Sequence, residues 1–276
     1  MIELNKIYHG ECSKLMKDEV PDNFVDLIVT SPPYSGLRNY NGYVFDFLKV
    51  ADEINRVMKP GGVVVWVVGD ETTKKGECGT SFRQALHFQS LGFNIHDTMI
   101  YQKNAIPYPD TKRYYASFEY MFIFSKGGEP KTFNPLIDRR NKHANVKVSG
   151  TERKVDGSLK EKPCIKRGAR IKEFGFRWNV WKYNVGNYGD KAISAHPATF
   201  PMALAKDQIL SWSNPGDVVF DPMAGAGTTP LMCKENGRNF IAMDISKEYV
   251  DLMQYRLDHN QYQDENGVTY RRKSLW

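Results

Sequence analysis

Val218-Val219-Phe220-Asp221-Pro222-Met223-Ala224-Gly225-Ala226-Gly227-Thr228-Thr229 is the stretch that decides the fold. Val218 to Phe220 reads as a short apolar strand, and a turn bearing Gly225 and Gly227 follows it. Thr228 to Asn236 then reads as a helix, with Pro230 in its first turn and Gly237 past its end. Glycines between a strand and a helix permit a tight turn and let a ligand approach the backbone closely. The next strand, Phe240 to Met243, ends at Asp244, 19 residues after Gly225. A carboxylate there can accept hydrogen bonds from both hydroxyls of a ribose. The third glycine of a dinucleotide fingerprint is missing, because position 230 is proline. The pattern therefore fits a nucleoside-bearing cofactor without a pyrophosphate; taken alone, the same glycines also make a purely structural turn.

Upstream, strand and helix signals alternate. Val25 to Thr30 is a β-branched strand stopped by Pro32 and Pro33. Phe45 to Met58 carries apolar residues at helical spacing, with Lys59-Pro60-Gly61-Gly62 as its stop, and Val63 to Val68 is an apolar run of the kind covered on both faces of a sheet. Ser81 to Leu91 reads as a helix, Asn94 to Tyr101 and Tyr120 to Phe124 as strands. Downstream of the basic region, Pro201 to Trp212 is a helix, and Ser246 caps a last helix carrying Val250, Met253 and Leu257. Alternation of this sort specifies a wound α/β sheet rather than a sandwich.

From Gly127 to Asp190 the alternation fails. Lys131 to Lys191 holds 16 Lys/Arg against 6 Asp/Glu, whereas the whole chain has a net charge of only +6. A basic excess confined to one segment attracts polyanions through counterion release, although a solvated basic loop has the same composition. Aromatic residues Phe174, Phe176, Trp178, Trp181, Tyr183 and Tyr188 are interleaved near its end and are expected mainly to pack. An apolar content of 41% and charged content of 25% are ordinary for a globular protein. No apolar run is long enough to cross a bilayer, and Met1 to Lys6 does not begin a signal peptide, so a soluble cytoplasmic protein is expected. Cys12, Cys78, Cys164 and Cys233 form no C-x-x-C pair, and the six histidines lack ligand spacing, so free thiols and no metal site are expected.

Thr30-Ser31-Pro32-Pro33-Tyr34 closes the first clear strand, at the edge where open α/β sheets bind ligands. An exocyclic amine of a nucleobase is conjugated with its ring and is a poor nucleophile. Acceptors that hold its N–H groups free its lone pair for a methyl donor. A serine hydroxyl and a proline-fixed carbonyl supply such acceptors, and a tyrosine can stack on the base. By itself the segment is also an ordinary strand-ending turn.

Together, Thr30-Ser31-Pro32-Pro33-Tyr34 and Phe220-Asp221-Pro222-x-x-Gly225-x-Gly227-Thr228-Thr229 resemble the [D/N/S]-P-P-[Y/F] and F-x-G-x-G motifs of the amino-methylating DNA methyltransferases. Their order, catalytic motif, basic insertion, cofactor motif, resembles the circularly permuted beta class. Arg56 to Gly62, Ser117 to Lys126 and Ser194 to Pro201 resemble further segments of that class, and Gly10-Glu11 is similar to its Gly-Asp pair beside the cofactor's adenine, with Glu in place of Asp. The resemblance covers about residues 4–126 and 194–258.

The resemblance implies a Rossmann-like, seven-stranded, mostly parallel sheet that binds S-adenosyl-L-methionine, with a catalytic part at 1–126, a target-recognition insertion at 127–193 and a cofactor-binding part at 194–276. It implies catalytic roles for Ser31, Pro32, Pro33 and Tyr34. Cofactor contacts fall on Glu11, Thr30, Ser31, His196, Phe200, Phe220, Asp221, Pro222, Gly225, Gly227, Thr228, Thr229 and Asp244. DNA contacts fall on Arg38, Arg139, Arg140, Lys142, Lys147, Arg153, Lys154, Lys166, Arg167 and Arg170. The partner is double-stranded DNA, with a cognate restriction endonuclease and a homodimer as further partners of this class. Ser31, with Gly36-Leu37-Arg38-Asn39-Tyr40 after it, resembles members that methylate cytosine N4; adenine N6 is the alternative, and a DNA-binding module with a decayed site is the alternative of another class.

Overall fold

The computed structural model describes residues 2–33, 45–74, 76–104, 112–166, 168–184, 201–259, 261–263 and 269–271. The chain forms two compact units. One comprises Met1–Asn134 with Asn179–Trp276, the other Pro135–Trp178.

The larger unit is built on one sheet of eight strands: β1 Lys6–His9, β2 Val25–Thr30, β3 Met58–Val68, β4 Phe93–Lys103, β5 Phe118–Lys126, β6 Val180–Tyr183, β7 Val218–Asp221 and β8 Asn239–Asp244. Their spatial order is β1-β8-β7-β2-β3-β5-β4-β6, and all neighbours are parallel except the β3–β5 and β5–β4 pairs. Among the described residues, six helices flank it: α1 Cys12–Glu19, α2 Phe47–Val57, α3 Thr80–Ser90, α4 Met202–Trp212, α5 Thr228–Glu235 and α6 Lys247–His259. Alternation along the strands sorts the core. Ile28, Val64, Trp66, Phe122, Phe124 and Phe220 meet Met16, Val50, Ile54 and Phe88 of α1, α2 and α3. Leu27, Val29, Val65, Val67, Met121 and Val219 are buried on the opposite face, the side of α4, α5 and α6.

The sheet has eight strands rather than the seven the resemblance implies. The eighth is β6, from the end of the basic segment that the sequence sets outside the sheet. Val180–Tyr183 pairs in parallel with Ile100–Lys103 because its alternate residues Trp181 and Tyr183 have large apolar faces to bury, at 6% and 7% exposure. The expectation that the aromatic set packs therefore holds for those two. Phe174, Phe176 and Trp178 lie at 42%, 56% and 70% exposure, and Tyr188 lies outside the described residues.

Lys59-Pro60-Gly61-Gly62 is part of β3, not a loop after a helix. β3 begins at Met58, directly after α2. Met58 pairs with Val25 and Val63 with Leu27, so the four residues between bulge opposite Asp26 alone. Lys59 Nζ donates to both Asp26 carboxylate oxygens at 2.8 and 2.7 Å, and Val218 N donates to Asp26 Oδ2 at 3.0 Å. Asp26 thus fastens β2 to the bulge on one side and to the start of β7 on the other.

Pro135–Trp178 has another construction. Arg139–Arg140 pairs antiparallel with Phe174–Gly175, Lys147 bridges Arg170, and Thr151–Arg153 pairs antiparallel with Leu159–Glu161. Among the described residues between 135 and 178 no hydrophobic side chain is buried.

Candidate active site

Strands β2 and β7 are neighbours, with Leu27 opposite Val219 and Ile28 opposite Phe220. Their carboxyl ends therefore bring together two motifs about 190 residues apart in sequence. The Thr30 hydroxyl donates to Asp221 Oδ1 at 2.7 Å, and the Thr229 hydroxyl donates to the Val29 carbonyl at 3.1 Å. These two bonds stitch the end of β2 to the turn and helix that follow β7. Ser31 and Pro33 are half-buried and Pro32 is buried at this seam. Tyr34, Arg38, Arg167, His196 and Phe200 lie outside the described residues, and of Lys166 only the backbone is described.

The turn after β7 is held from within. Met223 N donates to Asp221 Oδ1 at 3.2 Å, and Gly227 N donates to the Ala224 carbonyl at 2.8 Å. Phe220, Asp221, Pro222, Gly225, Gly227, Thr228 and Thr229 are all buried. Gly225 and Gly227 have φ of 50° and 77°, the left-handed region that favours glycine. At Gly227 a Cβ would also lie 2.5 Å from Met253 Cγ of α6. Gly227→Ala is therefore expected to cost about 2–4 kcal/mol of stability, from the left-handed backbone and the displaced α6 together. Denaturant unfolding reads this directly; a loss under about 0.5 kcal/mol would mean that the turn is looser than described.

Asp244 ends β8 beside this turn. Its Oδ2 accepts from Gly225 N and its Oδ1 from Ser246 N, both at 2.8 Å. A carboxylate offers about four acceptor sites, so each oxygen keeps capacity for a further donor. That is the chemistry a vicinal diol needs, and the buried, backbone-lined turn suits a nucleoside cofactor. Burial raises the Asp244 carboxyl above its usual range, against the backbone N–H groups of Ser246 and Gly225 and the nearby His9. Glu11 stands one strand over, after β1, whose His9 is in register with Asp244. Its carboxylate caps α1, accepting from Ser13 N at 3.0 Å and Lys14 N at 2.9 Å, so its charge is already tied to the helix N-terminus. It also lines a groove with Ser13, Phe45, Phe47 and Lys49.

Asp221 is the most perturbed acid of the seam. Burial pushes its carboxyl up to about 6, although the Thr30 hydroxyl and the Met223 N–H pull downward. A raised folded-state value means that the folded protein holds this proton more tightly than the unfolded chain. Stability from this group is therefore lost as pH rises from about 4 to about 6, by roughly 3 kcal/mol. Asp221→Asn removes the titration while keeping an acceptor for Thr30. The unfolding free energy of the variant relative to the wild type is expected to rise by that amount between pH 4 and pH 7, measured in denaturant; parallel pH curves would contradict the assignment.

Sequence reasoning missed Asp70, just past the end of β3. It accepts from Ser81 N at 3.0 Å and from the Ser81 hydroxyl, fixing the N-terminus of α3. The signal was an acid after an apolar strand, Val68-Gly69-Asp70. Beside it, Phe124, Phe122, Tyr120 and Phe118 form a ladder of ring contacts along β5, running from full burial to 45% exposure at the active-site edge. Among the described residues no His, Cys, Asp and Glu cluster could hold a metal ion, the four cysteines are unpaired, and no helix is long and apolar enough to cross a membrane.

The predicted DNA contacts all lie in Pro135–Trp178, Arg38 apart, and divide by their partners. Arg139 donates to the Phe176 carbonyl at 2.8 Å and lies over the Trp178 ring at 5.0 Å. Arg170 donates to the Asn145 carbonyl, and Arg140 pairs with Glu173 at 3.7 Å. Lys142, Lys147, Arg153 and Lys154 are exposed.

The open α/β sheet thus carries a glycine turn, the buried acid Asp244 and the Ser31-Pro32-Pro33 segment at the carboxyl ends of neighbouring strands. The DNA methylase family model, N6_N4_Mtase, matches residues 25–255, and the chain belongs to that family: it is a DNA methyltransferase. It is 56% identical to the orphan methyltransferase M.BamHII of Bacillus amyloliquefaciens over 88% of this chain and 92% of that one. It is 28% identical to the DNA adenine methyltransferase YhdJ of Escherichia coli over 93% and 83%. Among solved structures, the cytosine-N4-specific PvuII DNA methyltransferase superposes with TM-score 0.67 at 20% identity, covering 95% of this chain and 89% of that one. The M1.HpyAVI–SAM complex superposes with TM-score 0.60 at 23% identity, covering 91% and 98%.

Proposed function

We propose that this enzyme methylates the exocyclic N4 of cytosine in double-stranded DNA, using S-adenosyl-L-methionine. The observation that supports a methyl-transfer site is the seam: Thr30, bonded to Asp221, ends β2 where Ser31-Pro32-Pro33 begins and beside the end of β7; the choice of cytosine N4 rests on Ser31 at the first motif position. Asp244 would hold the ribose hydroxyls, and the Asp221–Thr229 turn the remainder of the cofactor. Bound there, S-adenosylmethionine supplies an electrophilic methyl group on a sulfonium. Ser31 Oγ and a carbonyl fixed by Pro32 or Pro33 accept the N–H groups of the target amine and leave its lone pair free. Catalysis then rests on positioning, with the amine proton released to water. Tyr34 stacks on the base once it has left the duplex. Residues 127–193 act as the target-recognition region, where the net positive charge lies.

Adenine N6 is the second reading, because YhdJ, similar along nearly the whole chain, is named an adenine methyltransferase. Nucleoside mass spectrometry of unmethylated DNA incubated with the enzyme and labelled cofactor separates the two. Labelled N4-methylcytosine is expected; labelled N6-methyladenine would sink the inference from Ser31 and keep the site.

A further inference from the structure

The geometry points to one element of Pro135–Trp178, the hairpin Thr151–Glu161, as the part that reads base edges of the substrate DNA. The inference rests on the DNA methyltransferase assignment and adds where its sequence choice is made.

The basic residues of the unit do not all have hands free. Arg139, Arg170 and Arg177 are engaged within it, on the Phe176 carbonyl and Trp178 ring, on the Asn145 carbonyl and on Asp138, whereas Arg140 is exposed and only approaches Glu173 at 3.7 Å. The first three hold together a ribbon in which no described hydrophobic residue is buried. The hairpin beyond that ribbon differs. Every residue from 149 to 161 is exposed, so packing within the unit gives no reason for its sequence. Its strands are in register Arg153 opposite Leu159 and Lys160 opposite Glu152. A cross-strand pair shares a face, so one face couples a guanidinium with an apolar side chain.

The tip is shaped rather than loose. Lys154 N donates to the Ser158 carbonyl and Gly157 N to the Lys154 carbonyl, both at 2.9 Å. Asp156 Oδ1 accepts from Ser158 N at 2.9 Å and from its hydroxyl at 2.6 Å, and Gly157 sits at φ 81°. This turn presents Val155 fully to solvent, with Leu159 at 62% exposure behind it. A fixed turn that displays an apolar side chain next to Lys154, with Arg153 and Leu159 paired on one face behind it, suits a groove walled by phosphates and floored by base edges. A two-stranded ribbon fits the major groove, about 12 Å wide, where an arginine fork reads guanine and an apolar side chain meets the thymine methyl. Pro135–Trp178 carries 13 Lys/Arg against 5 Asp/Glu; the hairpin Thr151–Glu161 holds three of each, so the excess that attracts the polyanion lies on the rest of the unit and the hairpin's part is base contact rather than charge. Lys142 and Lys147, on the ribbon outside the hairpin, serve phosphates and carry no sequence information.

The test uses the full-length enzyme on unmethylated genomic DNA, with methylated positions mapped by sequencing. Val155→Ser with Leu159→Ala, and separately Arg153→Ala, are expected to keep cofactor affinity and thermal stability. They should lower discrimination at one or two positions of the recognition sequence by about ten-fold or more. Lys147→Ala should lower methylation evenly at all sites with the recognition sequence intact. An unchanged recognition sequence in both hairpin variants would overturn the inference, whether their activity is preserved or falls evenly at every site. A wild-type enzyme that labels no DNA would overturn the methyltransferase assignment beneath it, a result distinct from either.

Discussion

Asp244→Ala is expected to weaken S-adenosylmethionine binding by about 100-fold or more, the largest single effect at this site. The carboxylate makes two kinds of bond. It accepts from Gly225 N and Ser246 N, which shapes the glycine turn, and under the proposed function it also accepts from the ribose hydroxyls. Alanine removes the acceptor for both hydroxyls and leaves a buried Gly225 N–H unpaired. Bonds to a charged group contribute about 1.5–3 kcal/mol, and a buried unsatisfied donor costs about 1–3 kcal/mol. Asp244→Asn keeps one acceptor oxygen and should fall between the two. Isothermal titration with the cofactor, beside a melting curve, reads the effect. A Kd within three-fold of wild type would remove Asp244 from the cofactor site.

Ser31→Ala is expected to lower kcat about 100-fold, measured at saturating cofactor, with a much smaller change in cofactor Kd. The hydroxyl is half-buried at the seam, so its loss opens no core cavity. What the proposed function would lose is an acceptor for the reacting amine, and removal of one preorganised polar group at a reacting centre costs a factor on the order of 100–1,000. Ser31→Asp restores an acceptor and should recover part of the rate. Single-turnover methyl transfer at saturating DNA isolates the chemical step. If Ser31→Ala turns over as wild type does, the amine is held by other groups.

Much of the sheet was legible because its central strands are buried on both faces. Val63–Val68 is an unbroken apolar run after two glycines, Val25–Thr30 is apolar apart from Asp26 and Thr30 and is stopped by the prolines at 32 and 33, and Val218–Phe220 flows into its glycine turn. The edges were not. β1, Lys6-Ile7-Tyr8-His9, has half-buried or exposed residues throughout and gives no apolar run. β6 shows two buried aromatics among polar neighbours and takes its strand identity from pairing with β4. Such edge strands are decided by tertiary packing more than by propensity. The β3 bulge was hidden for a different reason. Lys59-Pro60-Gly61-Gly62 is a breaker by composition, and it remains in the strand because Asp26 holds Lys59 and because Gly62 passes the Asp26 carbonyl where a Cβ would be 3.0 Å away.

Of the candidate site, the motif residues and the acid at the end of β8 were visible, since each rests on a strand terminus and a local pattern. The Thr30–Asp221 bond was not, because it joins residues 191 positions apart. Neither was the division of the basic segment. Composition makes Arg139 and Arg153 equivalent; geometry ties the first to Phe176 and Trp178 and leaves the second on an exposed hairpin.

The account stands on β2 and β7 forming one transfer site at their adjoining ends. The measurement that tests this most directly is a single-turnover reaction with S-adenosylmethionine labelled in its methyl group and unmethylated DNA, with wild type and Ser31→Ala run side by side. Label moving into DNA with the wild type, and about 100-fold more slowly with Ser31→Ala at equal cofactor occupancy, is the predicted result. Cofactor bound by both proteins with equal transfer, or with no transfer to DNA from the wild type, would contradict it.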